Sequence, residues 1–372
     1  MIRFATMLHE HLSTRACDCV TLAPEESSLT RSLRRLSFRR SEKWLGYFDK
    51  YLLFPPRMRR RIDREVSDSG SHETIVHIAD HSNALYVPNV PTVPWIVTCH
   101  DLLAVRGALG EDTDCPASRL GRQLQQQILR GLQRASAVAC DSTSTAKDLD
   151  RLAPSNRQPR RMIPLGLNHT FKPVDSVEAT RRLGSLDSRL ATRQPWLLHV
   201  GSNLSRKNKI GVYRIFARLA ANWSGLLVFA GAELPAEVAN RAGVDGLADR
   251  VVALPNLTNE ELEAVYSQAH ALLFPSTCEG FGWPIIEAQA CGCPVVCSDR
   301  TSLPEVAGPH ACIHPVDNET GMARSLQDLE KPELRRAHVD AGFANLKRFD
   351  ARLMVDAYEQ LYQETLSCFQ RS

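Results

Sequence analysis

From Glu73 onward, short runs of apolar and β-branched residues alternate with longer segments whose apolar positions recur at helical spacing. That alternation predicts parallel sheets covered by helices, because strands buried on both faces read as continuous apolar runs. In the first half the predicted strands are TIVHIADH (74–81), WIVTCHD (95–101), ASAVACDS (135–142) and RRMIPLG (160–166). The segment 118–135 between them places Leu120, Leu124, Ile128, Leu129 and Leu132 on one helical face. A second series follows, with strands predicted at 196–202, 225–231, 250–256, 271–276 and 293–299 and helices at 208–222, 258–269 and 284–291. The polar passage 165–195 reads as the connection between the two series. The tail 352–369 carries Leu353, Met354, Ala357, Tyr358, Leu361, Tyr362 and Leu366, the pattern of an amphipathic helix.

Two consecutive α/β series of similar size predict two doubly wound, Rossmann-like domains facing one another across a cleft. The expected limits are residues 1–170, 171–350 and a terminal helix over 351–372 that packs back on the first domain. A chain of 372 residues suits two domains of about 150 to 200 residues each. In such sheets ligands bind at the carboxyl ends of strands. His81, His100, Asp101 and Asp141 fall at predicted strand ends, where chemistry would use them.

Composition narrows the function classes. Net charge is +3, with 45 basic against 42 acidic side chains, so whole-chain charge gives no argument for nucleic acid. The eleven cysteines are odd in number and several sit in apolar runs, including Cys99, Cys291, Cys293 and Cys297. That usage fits reduced, buried thiols of a cytoplasmic protein, and the spacings are not those of a zinc site. No apolar run approaches the roughly 18 to 20 residues that cross a bilayer. The opening residues lack the apolar centre of a secretion signal. Two arginine-rich segments, 31–40 and 55–64, interleave cations with Leu33, Leu36, Phe38 and Met58, and could lie on anionic lipid. No G-x-G-x-x-G follows a predicted strand, which argues against a dinucleotide-dependent oxidoreductase.

The stretch CEGFGWPIIEAQACGCPVVCSD (278–299) holds the densest candidate chemistry. Pro284 suits the first turn of a helix and Gly292 the position just past its end, which predicts Glu287 in the first turn. Helix starts present free N–H groups and suit a phosphate or hydroxyl-bearing ligand. Gly280 and Gly282 would let the backbone approach that ligand. Glu279 and Glu287 would accept hydrogen bonds from its hydroxyls. Taken alone, the same spacing also fits a glutamate capping its own helix and a solvated turn residue.

The run FPSTCEGFGWPIIEAQACGCPVVCSDRTSLPEVAG (274–308) resembles the nucleotide-sugar site of retaining glycosyltransferases of family 4, which have the GT-B fold. The likeness extends to LLHVGSNLSRKNKIGVYRIFARL (197–219), VTCHDL, ACDSTSTAKDL and IPLGLNHTF. It implies that Glu279 binds hydroxyls of the donor sugar, Glu287 the ribose, and Arg206 and Lys207 the diphosphate. Gly201, Ser202, Gly280, Phe281 and Gly282 would line the donor, and His100 would lie near donor sugar and acceptor. His81, Asn83 and Asp101 are candidates for the acceptor pocket, and Glu305 also matches the family. The implied reaction moves a hexose from a nucleoside diphosphate sugar to a saccharide or lipid-linked acceptor with retention, mannose being the first expectation and glucose the second. No cofactor or metal is implied, since Arg206 and Lys207 would supply the charge. Family members open with a strand and a Gly-Gly loop before their first helix. Here MIRFATMLHEHLSTR reads as that helix and CDCVTLAP as the next strand, so the first strand is expected to be missing.

Two alternatives remain. A metal-dependent GT-A-type transferase would use Asp112 and Asp114 of the loop GALGEDTDCPAS, although no apolar strand precedes them. A catalytically inactive GT-B-like binding protein would keep the site without turnover.

Overall fold

The computed structural model describes residues 2–15, 17–24, 49–70, 73–155, 158–192 and 194–371. Its first sheet is built from β1 (Val76–Ile78), β2 (Trp95–Cys99), β3 (Ala137–Cys140) and β4 (Arg160–Met162), all parallel and adjacent in chain order. Every strand is shorter than its apolar run. The run 160–166 leaves the sheet after Met162 because Pro164 has no N–H to extend the ladder, although the Ile163 N–H still reaches the Cys140 carbonyl at 2.8 Å. Residues 17–24 form no strand, contrary to expectation. Val20 and Leu22 there stay exposed, and an extended segment without a ladder partner gains nothing from its β-propensity.

The first helix, Ile2–Ser13, buries Phe4, Met7, Leu8 and Leu12, the i, i+3, i+4, i+8 stripe of a surface helix. The predicted helix at 118–135 is present as Arg119–Arg134, with Ser118 capping the N–H of Gly121. It turns Ile128 and Leu132 inward and leaves Leu120 in solvent. Of the two arginine-rich segments, 31–40 lies outside the described residues, and 55–64 falls in the helix Phe54–Ser69.

The second sheet contains β5 (Trp196–Val200), β6 (Leu226–Ala230), β7 (Val251–Leu254), β8 (Ala271–Phe274), β9 (Val295–Ser298) and β10 (Cys312–His314), again all parallel. Their spatial order is β10-β9-β8-β5-β6-β7. The chain winds outward from β5 through β6 and β7, then returns to the other side of β5 at β8. That reversal makes the β5/β8 pair a topological switch point, the place where open α/β sheets bind ligands. The predicted helices appear as Lys209–Leu219, Asn259–Gln268 and Trp283–Ala290, the second opened by a reciprocal Thr258/Glu261 capping box. The two α/β units give the GT-B architecture.

The passage 165–195 is more ordered than a linker. Asp175 caps the helix Ser176–Gly184, which buries Ala179 and Leu183 in the core of the second unit. The C-terminal helix Ala351–Phe369 crosses back to the first sheet, where the Tyr358 hydroxyl meets Thr98 at 2.8 Å and the Tyr362 hydroxyl meets His77 at 2.8 Å. Met354, Val355, Tyr358 and Leu361 are its buried face, and Leu353 points outward. No helix among the described residues is long and apolar enough to cross a membrane.

Under the switch point, His199 of β5 stacks on Phe274 of β8 and donates its Nδ1–H to the Leu273 carbonyl at 3.0 Å. Burial pushes this imidazole down to about 3, against the opposing pull of that hydrogen bond. The unfolded chain therefore binds a proton at His199 that the folded chain refuses. The associated stability is complete above pH ~6.5 and falls by about 1.4 kcal/mol per pH unit below it. Melting curves at pH 7.5 and pH 5 should show a smaller acid loss for His199→Phe than for the natural chain. Equal losses would mean that the ring is not held neutral.

Candidate active site

The carboxyl ends of the two sheets meet. After β8 the chain runs through Glu279, Gly280, Phe281 and Gly282 into the helix Trp283–Ala290, and this loop touches the first unit at its own strand ends. The Gly280 carbonyl accepts from the Ser142 hydroxyl at 2.7 Å, just beyond β3. A Cβ on Gly280 would lie 2.1 Å from the carbonyl oxygen of His100. Gly280 is thus required by the opposite unit's backbone. Gly282 has φ +108°, a conformation few other residues adopt, and it turns the chain into the helix. Phe281 buries its ring. It packs edge-on against Phe349 with ring centres 5.7 Å apart, in the core between the second unit and the C-terminal crossing.

Other ties cross the same gap. Glu305 accepts from the Thr143 N–H at 2.9 Å and the Thr143 hydroxyl at 3.1 Å, placing a carboxylate at the start of the helix Thr143–Leu152. Asp114 accepts the Arg206 N–H at 3.3 Å, so the acidic loop 112–114 reaches the turn that carries the two candidate cations. That loop follows the helix Leu103–Ala108 and not a strand.

Glu279 and Lys207 meet in the gap. Both are nearly buried, at 8% and 9% exposure, and Lys207 Nζ lies 2.6 Å from Glu279 Oε1. Lys207 also sits 5.0 Å from the centre of the Phe274 ring and passes directly over Gly201, where a Cβ would come within 3.2 Å of its stem. Gly201 therefore clears the lysine stem at the end of β5. Ser202 follows it, exposed. Arg206 and Lys207 lie in a short 3-10 turn, Ser205–Lys207, ahead of Asn208, which is left-handed (φ 51°) and caps the helix Lys209–Leu219.

Glu287 lies in the second turn of its helix and not the first, because Gly282 is the N-cap and Trp283 the first helical residue. It is 4% exposed and accepts from the Tyr266 hydroxyl at 2.9 Å. Burial raises its pKa, with the Tyr266 bond and the charges of Arg3 and Lys207 opposing the rise. Asn168 is beside it and also opposes the rise, although among the described residues neither of its amide atoms makes a well-formed hydrogen bond.

The first unit contributes a buried pair. His100 Nδ1 lies 3.1 Å from Asp141 Oδ2, its Nε2 lies 2.9 Å from the Ala79 carbonyl, and Phe4 packs edge-on at 5.1 Å. Burial lowers the His100 pKa, but Asp141 and the Ala79 bond outweigh it and the net shift is upward. Burial also pushes Asp141 up to about 7, against the pull of His100. The two shifts compete for one proton. Two acceptors facing both ring nitrogens favour the charged imidazolium, and so does the geometry. Both nitrogens of His100 are therefore occupied by protein. Asp101 caps the N–H of Leu103 at 3.0 Å, a local task. His81 and Asn83 lie in the 3-10 turn His81–Tyr86 capped by Asp80.

Among the described residues, several buried side-chain atoms at these strand ends have no hydrogen-bond partner: Arg206 Nη1, Ser276 Oγ, both amide atoms of Asn168, His81 Nδ1, Asn83 Oδ1 and Asp141 Oδ1. Each such group costs about 1–3 kcal/mol unless something completes it. Asp141 was marked from sequence by its place at a predicted strand end, whereas Asn168, Tyr266 and Ser276 were not singled out, since no charge or spacing marks them.

Residues 1–171 match the family described as Glycosyltransferase Family 4, and residues 186–342 match Glycosyl transferases group 1. The chain belongs to these glycosyltransferases. It is 42% identical over 92 residues to the O-antigen chain mannosyltransferase B of Escherichia coli, covering 24% of each chain. It is 27% identical over 287 residues to the D-inositol 3-phosphate glycosyltransferase of Mycolicibacterium smegmatis, covering 74% of this chain and 63% of that one. This family member thus spans less than two thirds of the length of these relatives. Its fold is that of the sucrose-phosphate synthase of Thermosynechococcus elongatus, with TM-score 0.71 and 21% identity over 98% of this chain and 93% of the other.

In this glycosyltransferase-family chain, Gly280→Ala should force the two units apart. Small-angle scattering should show a larger radius of gyration with little change in melting temperature. An unchanged radius would mean that the loop can yield to the extra methyl.

Proposed function

We propose that this chain transfers a hexose from a nucleoside diphosphate sugar to a saccharide or lipid-linked acceptor, with retention of anomeric configuration. The observation that carries the reading is the buried Lys207–Glu279 pair at the β5/β8 switch point, with Glu287 close enough to feel the Lys207 charge and the Arg206 backbone bonded to Thr277 beside it. Breaking the sugar–phosphate bond leaves negative charge on the diphosphate. Cations aimed at that charge contribute roughly 3 to 4 kcal/mol per strong donor, and Arg206 and Lys207 are assigned that task without a metal. Glu279 would release Lys207 to the diphosphate and accept hydroxyls of the sugar, and Glu287 would accept those of the ribose. Gly201 and Ser202 would face the phosphates.

In the reaction the acceptor hydroxyl oxygen bonds to the anomeric carbon on the face that the phosphate oxygen leaves. The acceptor proton passes to the departing diphosphate, so no protein base is needed. His100, held as a cation by Asp141, would contribute its charge from beneath the sugar. His81 and Asn83 keep open hydrogen-bonding atoms in the first unit and are proposed to meet the acceptor. Mannose is the first choice of sugar, supported by the name of the E. coli relative, and glucose the second.

Thermal-shift titration with GDP, UDP and their sugars tests the reading. One diphosphate at a hundred times its Kd should stabilise the chain by about 2.7 kcal/mol. Glu287→Gln should lose most of that shift, and release of free diphosphate in the presence of acceptor should stop. No shift with either nucleotide would sink the assignment, and a shift without turnover would favour the inactive binding protein.

We also infer peripheral contact with anionic lipid at the cytoplasmic face. Arg57, Arg59, Arg60 and Arg64 of the helix Phe54–Ser69 are exposed and have no ion-pair partner among the described residues, whereas Arg61 is paired with Glu65. Each exposed cation near such a surface adds about 1 kcal/mol. Vesicles rich in anionic lipid should sediment the chain and neutral vesicles should not. Replacing the four arginines by glutamine should remove the difference.

A further inference from the structure

Lys209 opens the helix Lys209–Leu219, yet its side chain is buried, with 6% exposure. A helix start concentrates free N–H groups and partial positive charge, so an ammonium there is opposed by the helix it begins. Burial opposes it again and pushes this lysine down to about 8. Buried charges in folded proteins are normally paired with an opposite charge. Lys209 is not. Its Nζ donates to the side-chain oxygen of Asn203 at 2.7 Å and lies 5.5 Å from the centre of the Phe229 ring.

The groups around it bring no compensation. His199 on β5 is neutral, and its buried Nε2 has no hydrogen-bond partner. Lys207, two residues earlier, carries another positive charge felt at the same histidine. Asn203 in turn donates through Nδ2 to the Glu233 backbone carbonyl at 3.0 Å, while the Glu233 residue itself is exposed. Lys209 and Asn203 thereby brace the loop after β5 against the loop after β6. Gly201 and Ser202 belong to the braced loop.

We propose that Lys209 is a further donor-binding residue whose counter-ion is the diphosphate of the sugar nucleotide, with Asn203 holding the ammonium and the 201–203 loop in place until that anion arrives. The proposal rests on the reading of the cleft as a sugar-nucleotide site. It explains why two cations, and not one, converge beneath the end of β5 while only one of them has a glutamate.

Calorimetric titration of the full chain with GDP and UDP, and with guanosine and uridine as uncharged controls, tests it between roughly pH 7.5 and 9.5. A lysine with a lowered pKa loses its charge early as pH rises, so diphosphate affinity of the natural chain should weaken above about pH 8. Lys209→Arg, cationic throughout, should bind without that decline. Lys209→Met should bind about tenfold or more weakly at pH 7.5, the scale of one charge-assisted hydrogen bond, with nucleoside binding unchanged. A Lys209→Met chain that matches the natural affinity and pH profile would overturn the proposal. Should that variant melt before titration, the arginine variant decides, and an undiminished pH decline there overturns it equally. If the natural chain binds neither diphosphate, it is the sugar-nucleotide reading that fails.

Discussion

Two parallel sheets meet end to end, and the contact rests on one missing methyl group. Gly280 lies against the His100 carbonyl at a distance that no Cβ tolerates, and its own carbonyl takes the Ser142 hydroxyl. Everything in the cleft is registered from that touch. Glu279, one residue earlier, is fixed by the reciprocal bonds between its backbone and Thr301, and by Ser302. Phe281, one residue later, is locked into the hydrophobic core. The loop cannot slide without breaking either the apolar packing or the contact with the opposite unit.

The polar economy of the cleft follows from this closure. Burying Lys207 and Glu279 removes both from water, and their pairing at 2.6 Å offsets part of that desolvation cost. Glu287 is deeper still and is held by a single tyrosine hydroxyl. Lys209 has only the neutral side-chain oxygen of Asn203. A folded chain keeps such groups at this cost only where something else completes them, and the open atoms of Arg206, Asn168 and Ser276 belong to the same account.

The second unit was the more legible half. Its five predicted strands and three predicted helices appear with boundaries moved by at most three residues, because apolar runs bounded by Gly, Pro and caps leave little choice. The first unit was less so. CDCVTLAP has the composition of a strand but no ladder partner among the described residues, and Pro164 cut short a run whose letters continue to Gly166. Strand formation is a contract between two segments, so one segment's composition cannot decide it.

By itself the sequence determined the alternation of strands and helices, the left-handed turn at Gly282 that only a glycine readily makes, and the chemistry available at Glu279, Glu287, Arg206 and Lys207. These are properties of single residues and short periods. Tertiary structure alone decided that Lys207 would face Glu279 across seventy-two residues, that Gly280 would answer to His100, and that Phe281 would turn to Phe349. It also decided that His100 would spend both nitrogens on Asp141 and Ala79. Those outcomes depend on the order in which strands lie in the sheet and on how two sheets approach. Distance in space, and the desolvation that comes with it, is set by packing and is not written at any one position in the chain.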